Sequence, residues 1–170
     1  MTLIIEDGTG TDPTANSYAS VDEMRAHALL RGNNLAEKSD SEMEGFLIQA
    51  MDYLESKASK FKGDIANETQ PLQWPRSGVW GVFYPGAYTA ANEIPVELKR
   101  AQIELAIDAI DGDLMPTTRA SDKGRVISET LPGAISINYA DSGSVSSVSK
   151  KANSYLNRLY KRAGLTAVRV

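Results

Sequence analysis

The chain has 170 residues, 42% of them hydrophobic and 24% charged, and a formal net charge of -4. That is enough apolar surface for one compact core and lies outside the low-hydrophobicity regime of disordered chains. With no cysteine and a single histidine, His27, disulfides and thiolate or histidine-rich metal sites are excluded. No export signal and no apolar run long enough to span a membrane are visible, which predicts a soluble protein with no membrane partner.

The charge is unevenly spread. Residues 1 to 117 hold 9 Lys+Arg against 19 Asp+Glu, and residues 118 to 170 hold 9 against 3. The acidic part would repel duplex DNA. The basic part reads as a nucleic-acid contact, a segment docking on an acidic protein surface, or a solvated helix face.

In chain order, residues 7 to 16 are rich in Gly, Thr, Asp and Pro and predict an extended or looped start. Ser20 to Glu23 has capping-box spacing, and a short, shallowly buried helix follows to about Arg31, ended at Gly32. A second N-terminus at Ser39 to Glu42 opens the clearest helix. Its apolar residues Met43, Phe46, Leu47, Ala50, Met51, Leu54, Ala58 and Phe61 keep helical spacing until Gly63.

Residues 64 to 92 contain three prolines and several glycines with Trp74, Trp80, Phe83, Tyr84 and Tyr88. This predicts an aromatic-rich loop that packs or binds. Arg76 is the only cation near those rings in sequence, so protein packing or contact is favoured over base stacking. Ile94-Pro95 opens a central helix over Val96 to Ile110, with a charged stripe formed by Glu97, Arg100, Glu104, Asp108 and Asp111.

Two β-type runs, 125 to 130 and 134 to 139, flank Leu131-Pro132-Gly133 and predict a hairpin. A lone hairpin is marginal in water. Its residues Val126, Ile127, Ile135, Ile137 and Tyr139 are therefore candidates for contact between subunits. After a Ser/Gly-rich linker, Val148, Ala152, Tyr155, Leu156 and Leu159 form one apolar face, opposite Lys150, Lys151, Arg158, Lys161 and Arg162. That face either completes the core or docks on a partner. The strand-like end offers Leu165, Val168 and Val170 for docking. The expected fold is mainly α: a small helical bundle with the aromatic-rich loop, the hairpin near 125 to 139 and an extended C-terminal tail. Residues 1 to 140 form the helical domain; 141 to 170 form the linker, the basic amphipathic helix and the tail.

Catalytic chemistry finds little support. His27 has no nucleophile motif beside it and reads as a surface or helix-flank residue, and Gly8-Thr9-Gly10 lacks the rest of a phosphate or dinucleotide loop. Glu104 and Asp108 share a helix face and read as solvated. The expectation is a non-enzymatic protein without cofactor or metal.

The segment Gln70-Pro71-Leu72-Gln73-Trp74-Pro75-Arg76, followed by Ile94-Pro95 and Ala101-Gln102-Ile103-Glu104-Leu105-Ala106, resembles the head-tail adaptors of tailed bacteriophages. The opening Ile4 to Gly10, Asn16-Ser17-Tyr18 and the hairpin ending near Tyr139 are similar to them as well. The resemblance implies a virion protein at the neck between capsid and tail, assembled in the host cytoplasm. Its partners would be the portal and other neck or tail proteins. It would form a homo-oligomeric ring of twelve copies through whose lumen DNA passes without sequence-specific binding. Similar phage sequences are also described as DnaT-like single-stranded-DNA-binding proteins, the alternative reading. Trp74, Pro75 and Arg76 are expected to form a structural loop: Pro75 restricts the backbone of Trp74, Trp74 anchors in the core, and Arg76 pairs with a carboxylate.

Overall fold

The computed structural model describes residues 2–82, 87–115 and 150–161 in full, and 126–130 and 136–139 as backbone. Helix α1 spans Val21–Leu29 and α2 spans Asp40–Glu55. Both begin at the expected capping boxes. Ser20 and Ser39 accept the backbone N–H of Glu23 and Glu42, whose carboxylates accept the serine backbone N–H groups in return.

Helix α2 stops six residues before Phe61. The Ser56 hydroxyl donates to the Tyr53 carbonyl at 2.6 Å, and a 3-10 turn, Ala58–Lys60, follows. The tighter turn, together with the side chain competing for a helical carbonyl, lets Phe61 reach the core outside the α-helix. Strands β1 (Asp64–Ile65) and β2 (Arg76–Ser77) then pair antiparallel. Helix α3, Val96–Asp111, starts after Pro95, whose carbonyl accepts from Leu98 and Lys99.

The expected hairpin is present. Strands β3 (Val126–Thr130) and β4 (Ser136–Tyr139) pair antiparallel, with Val126 opposite Tyr139 and Glu129 opposite Ile137, and a register shift between Val126 and Ser128 that takes in Ile127. Ile135 lies outside the described residues, as do Phe83, Tyr84, Leu165, Val168 and Val170. Helix α4 is Lys150–Leu159. The mainly helical class therefore holds, with two small antiparallel strand pairs in addition to the helices.

Helix α3 is central: α2 and α4 pack along it and α1 touches it. Leu47, Ala50 and Leu54 of α2 meet Leu98, Ala101 and Leu105 of α3 in one core. Leu156 and Leu159 are fully buried in the same core, with Ala152, and Tyr155 is half-buried against it. The apolar stripe of α4 is thus occupied within the chain.

Three expectations about exposure are corrected. Helix α1 is not shallow, since Met24 and Ala28 are fully buried. The charged stripe of α3 is also not solvated throughout, because side chains from α4 and from the α1 region pair with it. Glu97 is buried and accepts from Arg158 of α4 at 2.7 Å. Glu104, 4% exposed, meets His27 Nε2 at 2.8 Å and Arg31 Nε at 3.3 Å. His27 is therefore a buried partner rather than a surface residue.

A second polar joint ties the N-terminal segment to the bundle. The fully buried Gln102 accepts from the backbone N–H groups of Tyr18 and Ala19 at 3.0 Å, and donates to Ser17 Oγ at 2.8 Å and the Leu47 carbonyl at 3.2 Å. Four hydrogen bonds satisfy both ends of the amide, as a buried side chain of this kind requires.

Candidate nucleic-acid interface

The Trp-Pro-Arg segment builds one face of the molecule from the inside. Trp74 is fully buried, joined to Pro75 by a cis peptide bond; its backbone N–H donates to the Tyr18 hydroxyl at 2.9 Å. The indole meets Phe61 edge-on with ring centroids 6.1 Å apart, and the Arg76 guanidinium lies 6.0 Å from the other ring-face partner, the Phe61 centroid. Trp74 thus sits inside the core.

Arg76 differs from expectation. Its partners are carbonyls: Nε donates to Lys62 O at 2.8 Å and Nη2 to Gly63 O at 2.7 Å, while Nη1 reaches Gln73 O and Oε1. The carboxylate nearest this network, Glu55, is instead taken by Gln73, which donates to it from its backbone and its amide at 3.1 and 3.0 Å. A planar five-donor fork fits several converging carbonyls better than one carboxylate. Burial pushes the Arg76 pKa down, and burial pushes that of Glu55 up against the hydrogen bonds from Gln73.

The turn that Arg76 holds carries cations. Phe61 and Tyr160 form an antiparallel bridge, with Lys62 N donating to Leu159 O at 3.0 Å and Lys161 N to Lys60 O at 2.8 Å. Phe61 points inward, and its ring lies 5.3 Å from that of Tyr160. Its sequence neighbours Lys60 and Lys62 therefore turn outward. They are joined by Lys161 from across the bridge, by Arg158 from the last turn of α4 and by Lys57 from the end of α2. Lys60 sits over the Tyr160 ring at 5.9 Å and Lys57 over Tyr53 at 4.5 Å. Burial raises the pKa of both tyrosines, that of Tyr160 most, so both hydroxyls stay neutral beside these lysines.

Among the described residues, Lys57, Lys60, Lys62 and Lys161 meet no carboxylate at ion-pair distance, and Arg158 is paired with Glu97. Five cations drawn from two distant stretches of chain converge on one bridge. The result is a basic face, part of which is held in place: Lys62 Nζ donates to the Arg158 carbonyl at 2.8 Å and Lys161 Nζ to the Ser59 carbonyl at 3.4 Å.

Residues 1–170 match the family described as "Putative DnaT-like ssDNA binding protein". The chain belongs to this family. No curated protein and no solved structure matches it. The family match overturns the reading as a head-tail connector or portal-binding ring and favours the single-stranded-DNA alternative.

The basic character of α4 was visible in the sequence as Lys150, Lys151, Arg158 and Lys161. Lys57, Lys60 and Lys62 carry no role in the sequence reading, which continues the apolar spacing of α2 through Ala58 and Phe61 to Gly63. The alternation of Lys60 and Lys62 around an apolar Phe61, directly before Gly63, was the available signal for an extended, outward-facing pair. Among the described residues, no helix is long and apolar enough to cross a membrane, and no His/Asp/Glu group has the arrangement of a metal site.

Proposed function

We propose that this chain binds single-stranded DNA along the basic face at the Lys60–Lys62 and Leu159–Lys161 crossing, acting by binding rather than catalysis. The observation that carries the reading is the convergence there of Lys57, Lys60, Lys62, Lys161 and Arg158, four of them without an ion-pair partner among the described residues. The description of the family supports it.

The acidic excess of the first 117 residues does not oppose this as strongly as composition alone implies. Glu6, Glu97 and Glu104 are buried, against the Gly8 and Gly10 N–H groups, Arg158, and Arg31 with His27 respectively, so these three carboxylates do not line the surface. The affinity comes from phosphate neutralisation, which carries no sequence information.

Anisotropy of a fluorescently labelled oligothymidylate, titrated with the full chain at low and at physiological salt, tests the reading. Binding that weakens as salt rises, is indifferent to base sequence, and falls about tenfold or more in K60E/K62E supports it. No binding at low salt, or K60E/K62E binding like the wild type, would sink it.

A further inference from the structure

We propose that Trp80 and Tyr88 form a base-stacking platform that makes the chain prefer single strands to duplex; the proposal rests on the single-stranded-DNA reading above. The two rings are the large aromatics that the described part of the loop leaves in solvent, Trp80 51% and Tyr88 70% exposed. They face each other across an antiparallel bridge, with centroids 4.7 Å apart and planes at 71°. Isolated exposed aromatics are ordinary, whereas two in contact make an apolar patch that water covers at a cost and a ligand can relieve.

Their presentation is built. Gly81 N donates to Ala87 O at 2.9 Å and Thr89 N to Val79 O at 2.8 Å, so both flanks of the ring pair are tied backbone to backbone. Val79 and Thr89 are buried on the opposite side of the bridge, so alternation turns their neighbours Trp80 and Tyr88 outward. A pre-ordered pair of rings loses little conformational entropy when a ligand stacks on it. In an edge-to-face pair, ring faces remain open on both residues, and any base presents a π-face to them.

What selects a nucleobase over an apolar protein side chain is the ground next to the rings. Val79, the residue before Trp80, lies against Gly63, where a Cβ would come within 2.8 Å of Val79 Cγ2 and would run into the Ser77 carbonyl oxygen. Gly63 has φ +67° and directly follows Lys62. Ser77, three residues before Trp80, also pairs with Asp64, two residues after Lys62, so the strand that leads to the rings runs beside the turn that carries Lys62. A strand whose phosphates lie over Lys62, Lys60 and Lys161 brings its bases to the aromatic pair. In a duplex the bases are already stacked and paired, so the rings have nothing to accept, while the lysines still attract phosphate.

The test uses the full chain as wild type, W80A/Y88A and W80F, each titrated with a labelled oligothymidylate and with a duplex of equal length. The expected result is a wild type that prefers the single strand and a W80A/Y88A variant that loses about tenfold or more of that affinity while its duplex binding is unchanged. W80F, which keeps a π-face, retains most of the affinity. Tryptophan emission gives a second readout, since the chain has two tryptophans and Trp74 is buried. Oligonucleotide quenching is expected in the wild type and absent in W80F. If the wild type binds single strands and W80A/Y88A binds them equally well, the platform is wrong and the basic-face reading survives. Equal losses for single strand and duplex also overturn the selectivity. A wild type that binds neither nucleic acid removes the basic-face reading and the platform together.

Discussion

Arg76 shows how one side chain links the interior to the surface. Its guanidinium, 6% exposed as a residue, bonds the carbonyls of Lys62 and Gly63, the turn that presents the lysines. Removing it leaves those carbonyls with no internal donor and a void under Phe61. R76A is expected to cost about 2–4 kcal/mol in unfolding free energy by urea denaturation. R76K should lose most of the same amount, because an ammonium cannot reproduce the fork. A lysine variant as stable as the wild type would show that the charge, and not the geometry, matters at this position. Glu55 lies in the same network and makes a pH prediction. Burial raises its pKa above the ordinary 4.5. The folded state therefore binds its proton more tightly than the unfolded state does. The resulting contribution to stability is complete below 4.5 and disappears as pH rises through the higher folded value. E55Q does not ionise. Relative to E55Q, the wild type is expected to lose stability between acid and neutral pH, and parallel stability-against-pH curves for the two proteins would refute this.

At the scale of elements, the joints between helices are polar where the sequence suggested solvent. Helix α3 buries Glu97, Gln102 and Glu104, and each is met by a different part of the chain: α4, the N-terminal segment and α1. H27A would leave the Glu104 carboxylate buried with only Arg31 beside it. That change is expected to cost about 1–3 kcal/mol, read by thermal or urea melts. Leu156 lies in the core between α4 and α3, so L156A is expected to cost about 2–5 kcal/mol, more than an exposed docking residue would. The helices themselves were legible because their signals are local: two capping boxes, Pro95 before α3, and apolar spacing along α2. The hairpin over 126–139 was legible for the same reason, through alternation on either side of Leu131-Pro132-Gly133. What was not legible depends on partners far away in sequence. Nothing near His27 points to Glu104, which lies 77 residues on. Nothing near Lys62 points to Leu159, and the aromatic loop could not be divided into a buried Trp74 and an exposed Trp80 without knowing where Phe61 and Val79 pack.

For the whole molecule, the decisive quantity is where charge lies rather than its sum. A net charge of -4 spread evenly would disfavour any nucleic acid. Here several acids are drawn into the interior, and lysines from residues 57 to 62 meet cations from residues 158 to 161 on one face. Lys57, Lys60, Lys62 and Lys161 have no carboxylate partner among the described residues, while Arg158 is paired with Glu97 at 2.7 Å. Each cation that replaces a condensed counterion on a single strand contributes about -0.7 to the slope of log affinity against log salt. Four such contacts predict a slope of about -3 for the wild type, reduced to about -1.5 in K60A/K62A. Asp64, exposed in β1 opposite Ser77 and directly after Gly63, lies between the lysines and the aromatic pair and opposes phosphate there. D64N is therefore expected to tighten binding several-fold at low salt, with the gain shrinking as salt screens the carboxylate. Binding in D64N that is unchanged at every salt concentration would mean that the strand does not pass over β1. The path between the lysines and Trp80 would then have to be redrawn through the Tyr160 side of the face.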